Sequence, residues 1–175
     1  MFDPTAYENM RVVLEGIFYD KDLSGEIMIV DRNDIINTAK LSRIYDLSFQ
    51  LSTSPSSRVI CRMKLKADIE NLTAELLSSA FSNKVAGCMV TIEFLFEHND
   101  DESFLIEIER VLKQIWGEER TIKLMVCREP LISLQKAKYT AHISFGRIIR
   151  EDQVDDLTEM TEYMMKTLHK LEHIL

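Results

Sequence analysis

Several separate stretches of this sequence alternate between apolar and polar residues, and this pattern restricts the possible folds more than any other feature. In the stretch 45–51 every second residue is apolar, and the alternation returns at 59–65, 90–96 and 139–145. Successive side chains of a β-strand point to opposite faces of the sheet. The pattern therefore predicts a sheet with one buried face and one polar face, which is common in antiparallel sheets.

Helical patterns lie between the predicted strands, so we expect the α+β fold class. We expect a single domain over residues 1–175, with one mostly antiparallel (or mixed) sheet, helices covering one face and a long C-terminal helix. The first helix is expected to be capped by Asp3, with Pro4 in its first turn. After it we expect a strand at 26–30, a helical turn at 34–40, and strands at 44–52 and 58–66 joined by a loop at 53–57. A helix from Asp68 is predicted next, with Ile69, Leu72, Leu76 and Phe81 facing inward. The remaining predicted elements are a strand at 88–97, a helix ending at Gly117, strands near 121–127 and 138–147, and a closing helix at 151–174.

The polar face of the sheet is where the sequence suggests a site. A small polar ligand could bind there to Arg62, Glu93, His142 and Ser144, or these residues could perform acid–base chemistry. Alternatively, the face is ordinary solvated surface or is covered by another subunit. By the phase of the alternation, this face displays Asp46, Ser48, Gln50, Arg62, Lys64, Glu93, Lys123, Thr140, His142 and Ser144.

Catalytic and metal-binding motifs do not account for these residues. His142 and Ser144 make only half of the paired H-x-[S/T] pattern of two-histidine phosphoesterases, and no G-x-S-x-G surrounds Ser144. The stretch His169–His173 matches the H-x-x-E-H of inverted zinc peptidases, but no third ligand follows it, so we interpret it as a polar helix end. The five glycines form no phosphate-binding cluster. We predict no catalytic residue, no metal and no cofactor.

The closing helix is the predicted interaction element. Its apolar residues follow the 3-4 spacing of heptads and include several methionines, which make adaptable partner surfaces. The same spacing is also typical of a helix that packs on the sheet of its own chain. The candidate interaction surface comprises Leu157, Met160, Met164, Leu168 and Leu171.

Charge and composition restrict the partners and the compartment. The net charge of −8 falls entirely in residues 67–175, and an acidic surface disfavours nucleic-acid binding. No apolar run reaches the roughly 20 residues of a membrane span, and the first residues lack the features of a signal peptide. The odd number of cysteines (Cys61, Cys88 and Cys127) indicates free thiols in a reducing compartment. We expect a cytoplasmic protein without membrane or nucleic-acid partners.

In the order of its elements and in its acidic charge, the chain resembles small acidic dimeric chaperones of the secretion type. The resemblance is one of layout, carries no motif and transfers no site residue. Together with the missing catalytic signatures, it favours a non-catalytic binding or adaptor protein that acts as a homodimer, with another protein as a candidate partner. The alternative is a sensor or enzyme for a small polar ligand that uses the polar face around His142.

Overall fold

Six antiparallel strands form one sheet in the computed structural model, which describes residues 5–52, 58–75, 82–99, 102–128 and 136–175. The strand order is β1-β2-β3-β4-β6-β5, so β1 and β5 are the two edges. The α+β class predicted from the sequence is confirmed. The elements are α1 (Thr5–Leu23), β1 (Ile27–Asn37), β2 (Ser42–Leu51), β3 (Val59–Ala67), α2 (Ile69–Ala74), α3 (Ser82–Val85), β4 (Cys88–Asn99), α4 (Glu102–Trp116), β5 (Thr121–Cys127), β6 (Lys136–Ile149), a 3-10 turn (Glu151–Gln153) and α5 (Val154–Ile174).

The hydrophobic core lies between one face of this sheet and the helices α1, α4 and α5. The inner face of β3 is wholly apolar, and its Val59, Cys61, Met63 and Leu65 are fully buried. Each large aliphatic side chain buried in this way contributes about 1.5–3 kcal/mol, so the helical layer is held mainly by these contacts. Among the described helices, none combines the length and apolar character needed to cross a membrane.

The segment after α1 differs from the sequence prediction of a short strand and a helical turn. Residues 27–37 form the single strand β1, paired with β2 along its length, and a bulge interrupts the register between Ile29 and Asp31. The Arg43 guanidinium holds this pairing by donating to both oxygens of Asp34, at 3.0 and 2.8 Å. The alternation could not be read there because β1 is an exposed edge strand and the bulge shifts its phase.

The helix predicted after Asp68 is shorter than expected in the described part of the chain. Asp68 does precede a helix, α2, but α2 ends at Ala74, and Ile69 is exposed instead of facing inward. Leu72 is buried as predicted. The predicted cap at Asp3 and Pro4, the loop 53–57 and the inward positions Leu76 and Phe81 lie outside the described residues.

A buried hydrogen bond joins α4 to α5 and gives a first stability prediction. The Trp116 indole Nε1 donates to Thr167 Oγ1 at 3.0 Å, and Thr167 is fully buried. Thr167→Val should lower the free energy of unfolding by about 1–3 kcal/mol, because it leaves the indole N–H without an acceptor. Urea unfolding can be followed by fluorescence, since Trp116 is the only tryptophan of the chain.

Thr158→Val is the matched control for this change. Thr158 lies on the same helix but its side chain is exposed, so its replacement should change stability by less than about 0.5 kcal/mol. Equal losses in the two variants would show that the hydrogen bond between the helices contributes nothing specific.

Candidate functional site

The outer face of the sheet, opposite the helices, carries one polar residue per strand in a line that crosses all six strands. The register places these residues directly opposite one another from strand to strand. We call this line the central row; from β1 to β5 it consists of Asp31, Ser48, Arg62, Glu93, His142 and Lys123. Side chains opposite each other in an antiparallel pair lie about 4.5–5.5 Å apart at Cβ, so neighbouring members of the row are within reach of one another.

Glu93 is the centre of this row. One of its oxygens lies 3.2 Å from Lys64 Nζ and 3.4 Å from His142 Nδ1, and the other lies 3.6 Å from Arg62 Nη1. Although it projects from the outer face, Glu93 is only 9% exposed. The long side chains of its neighbours cover the carboxylate, and their charges offset its own.

The half of the outer face nearer β1 is similarly self-paired. Arg62 Nε donates to Ser48 Oγ at 2.9 Å, and the Asn33 amide donates to Asp46 Oδ1 at 3.1 Å. Ser48 is 1% exposed and Asp46 is 7% exposed. The alternation thus predicted a polar outer face, but three of its residues are buried there by their neighbours.

The four candidate ligand-binding residues are only partly brought together. Arg62 and His142 both reach Glu93, whereas Ser144 lies in the neighbouring line of residues, opposite Thr91 and Thr121. Register, which determines these neighbours, could not be obtained from the sequence. The sequence does not predict Asn33 and Asp31 for this face, because the pattern of the strand that carries them does not identify a strand over residues 31–37.

An apolar line lies next to the central row on the same face. It consists of Ile60, Leu95, Thr140 and Met125, opposite one another on β3, β4, β6 and β5, and we call it the apolar row. Met125 is 56% exposed. An open cavity of about 690 Å³ lies over this row and is lined also by Arg58, Glu97, Cys127 and Lys138. This cavity could not be predicted from the sequence, because it is formed by residues from four strands.

The outer face is basic although the chain is acidic. Among the residues that the structure describes, basic side chains outnumber acidic ones there, whereas the chain as a whole has a net charge of −8. The helical side therefore carries the excess of negative charge, and the two sides of the molecule differ in sign. By register, the basic residues of the outer face are Arg58, Arg62, Lys64, Lys66, Lys123, Lys136 and Lys138, and the acidic ones are Asp31, Asp46, Glu93 and Glu97.

The interaction surface predicted on the closing helix lies in the core of the same chain. Its five residues are all buried, in contact with the sheet and the other helices. The heptad-like spacing reflects packing of α5 within the chain, and these side chains are not available to a partner in this fold. The buried residues are Leu157, Met160, Met164, Leu168 and Leu171.

The zinc-like motif at the end of α5 makes a structural contact with the start of β3. Glu172 Oε1 accepts the backbone N–H groups of Arg58 and Val59, at 2.8 and 3.1 Å, and so caps the start of β3. His169 and His173, the other two motif residues, are exposed on the helix. The residues fit the polar helix end expected from the sequence.

The three cysteines are free, and they differ in their environments. Cys61 and Cys88 are buried; burial raises the pKa of Cys88 to about 12 and raises that of Cys61 well above its ordinary value. Both therefore remain neutral thiols, which are poor nucleophiles. Cys127 is exposed and lines the cavity over the apolar row.

Comparisons with known protein families, with curated proteins and with solved structures found no match for this chain.

Proposed function

We propose that the chain is a non-catalytic binding module that docks an acidic, partly apolar segment of another protein on its outer sheet face. The observation that carries this proposal is the juxtaposition of a basic outer face and an open cavity over the apolar row. Apolar side chains of the partner would enter the cavity, while its carboxylates would lie near Lys138 and the other basic groups. We place the protein in the cytoplasm, where free thiols such as the exposed Cys127 persist.

The arrangement of the central row supports binding over catalysis. Glu93 is covered and contacted by three basic side chains, so its oxygens are committed to neighbours within the fold. A rigid, internally paired row of this kind gives a partner a fixed pattern of charge, and such patterns determine specificity and association rate. The apolar row would provide a contact from which water is excluded, and contacts of this kind contribute most of the binding energy.

The convergence of Arg62, Glu93 and His142 favours a second candidate, a site for a small polar ligand. Such a ligand would have to replace contacts that these side chains already make with one another. If this candidate holds, a metabolite should raise the melting temperature of the protein, and His142→Ala should abolish that increase.

Binding of synthetic peptides tests the proposed function. The probes are peptides of about 15 residues in which leucine and phenylalanine alternate with glutamate, and matched peptides with lysine in place of glutamate. The acidic peptides should bind and the basic ones should not, and binding should weaken as salt increases. In the variant Leu95→Glu/Lys138→Glu, the dissociation constant measured by fluorescence anisotropy should rise at least about tenfold.

Lys166→Glu/Lys170→Glu provides the control, because it reverses two exposed lysines of α5, on the opposite side of the molecule. This variant should bind the acidic peptides as tightly as the wild type does. Equal binding of acidic and basic peptides, or equal weakening of binding in the two double variants, would show that the outer face is not the docking surface.

A further inference from the structure

The two edges of the sheet differ in how well they are protected against pairing with another strand. The β1 edge has a bulge between Ile29 and Asp31, and bulges and charges are common means of protecting an edge. The backbone N–H of Ile29 is also occupied, since it donates to Asp22 Oδ1 at 3.0 Å. The side chain of Arg32 turns back to Glu15 and Tyr19 of α1, at 2.6 and 2.7 Å. The β1 edge is therefore protected against a partner strand around its bulge, over residues 29–32.

The β5 edge lacks a bulge and carries a single charge. Its seven residues pair with β6 in an unbroken register, without a bulge, and Lys123 is their only charged residue. Among the described residues, no strand lies beyond β5. Its inner-facing Ile122, Leu124 and Val126 are only partly buried, so the core has an incomplete apolar margin along this edge. A regular edge with one charge and a partly exposed apolar margin can act as a template for another strand.

We propose that β5 pairs antiparallel with β5 of a second copy of the chain, across a twofold axis perpendicular to the sheet. This axis keeps the two helical layers on the same side, so inner residues must lie opposite inner residues. A second copy is the occupant that the sequence of β5 favours, because pairing about its centre, Leu124, engages all seven residues, matches apolar inner residues with apolar ones and places no like charges opposite each other. In this register Ile122 lies opposite Val126 of the second copy, which completes the apolar margin.

The alternative registers are less favourable. Centring the pair on Lys123 would place two ammonium groups opposite each other, and like charges in that position are destabilising. Centring it on Met125 would place Ile122 opposite the charged Arg128 and leave Thr121 beyond the paired segment. The register centred on Leu124 instead places Lys123 opposite Met125, whose side chain can cover the aliphatic part of the lysine.

Pairing in this register also extends the outer face. The cavity over the apolar row is lined by Met125 and Cys127 at the β5 edge. In the dimer, Lys123 and Thr121 of the second copy lie opposite these two residues and form a further wall of the cavity. The homodimer expected from the sequence would then form through the edge of the sheet. The candidate interaction residues of α5 are buried in the core and do not contribute to it.

Opposite charge changes at Met125 test the register. Met125→Glu should tighten the dimer, because each introduced carboxylate lies opposite Lys123 of the other copy. Met125→Lys should weaken it, because each introduced ammonium group lies opposite that same lysine. Sedimentation equilibrium should show changes of roughly threefold to tenfold in the dissociation constant, in opposite directions. Circular dichroism verifies that both variants fold, as expected for substitutions at an exposed position.

Met28→Glu and Met28→Lys are the matched controls on the other edge strand. Met28 projects from the outer face of β1, is 46% exposed, and should be neutral to dimerisation in both forms. A wild-type protein that stays monomeric at about 100 µM would overturn the proposal, as would a dimer that responds equally to both Met125 changes. The peptide experiment uses Leu95 and Lys138, which lie outside β5, so the two proposals can fail separately.

Discussion

Replacing Gly87 by alanine is expected to lower the free energy of unfolding by about 2–5 kcal/mol. Gly87 has a φ of +147°, which L side chains rarely adopt, at the point where the chain enters β4. An added Cβ would lie 2.2 Å from the backbone oxygen of Ile149 and 2.9 Å from a side-chain carbon of Ile148. Because the first contact is with backbone, relief requires that β4 and β6 separate where Cys88 pairs with Ile149.

Gly16→Ala provides a control with the opposite expected sign. Gly16 lies in the interior of α1, and no heavy atom is within 4 Å of the position its Cβ would take. Alanine there should raise stability by about 1 kcal/mol, the usual difference in helix propensity. Urea unfolding of both variants, followed by Trp116 fluorescence, should therefore move the midpoint in opposite directions. A Gly87→Ala protein as stable as wild type would contradict the close approach of β4 to β6.

The strands of the sheet could be predicted where one face is buried and the alternation is regular. β3, with its fully buried inner face, and β5 and β6 lie close to their predicted positions, whereas the sequence predicts a short strand and a helical turn where the structure has β1. The cause is physical: an edge strand needs few apolar residues, and a bulge reverses the phase of those it has. The pattern also revealed the spacing of α5 but could not distinguish packing within the chain from packing between chains.

The composition of the outer face could be predicted, but its geometry could not. Phase alone assigned Arg62, Glu93 and His142 to one face. That they meet depends on the register of two strand pairs, β3–β4 and β4–β6, which is set by distant parts of the chain. The cavity over the apolar row depends on these two registers and on that of β5 and β6. For the same reason, the sequence could not show that Glu93 is covered by its neighbours.

Glu93→Ala should lower the free energy of unfolding by about 1–3 kcal/mol, because it removes the buried carboxylate that compensates its partly exposed basic neighbours. Arg62, Lys64 and His142 would then share a small region without the carboxylate that they now surround. Adding Lys64→Met to this variant should recover part of the loss. A double-mutant cycle on urea unfolding measures the coupling between Glu93 and Lys64.

Glu97→Ala on the same strand and the same face is the control, since Glu97 is exposed and its replacement should cost less than about 0.5 kcal/mol. The sign of the Glu93 effect also separates the two candidate functions. A carboxylate retained as a structural part of a docking surface stabilises the fold, so its loss is destabilising. A residue retained for ligand chemistry is commonly replaced with a gain in stability. A Glu93→Ala protein more stable than wild type would therefore favour the small-ligand site around His142 over the docking surface.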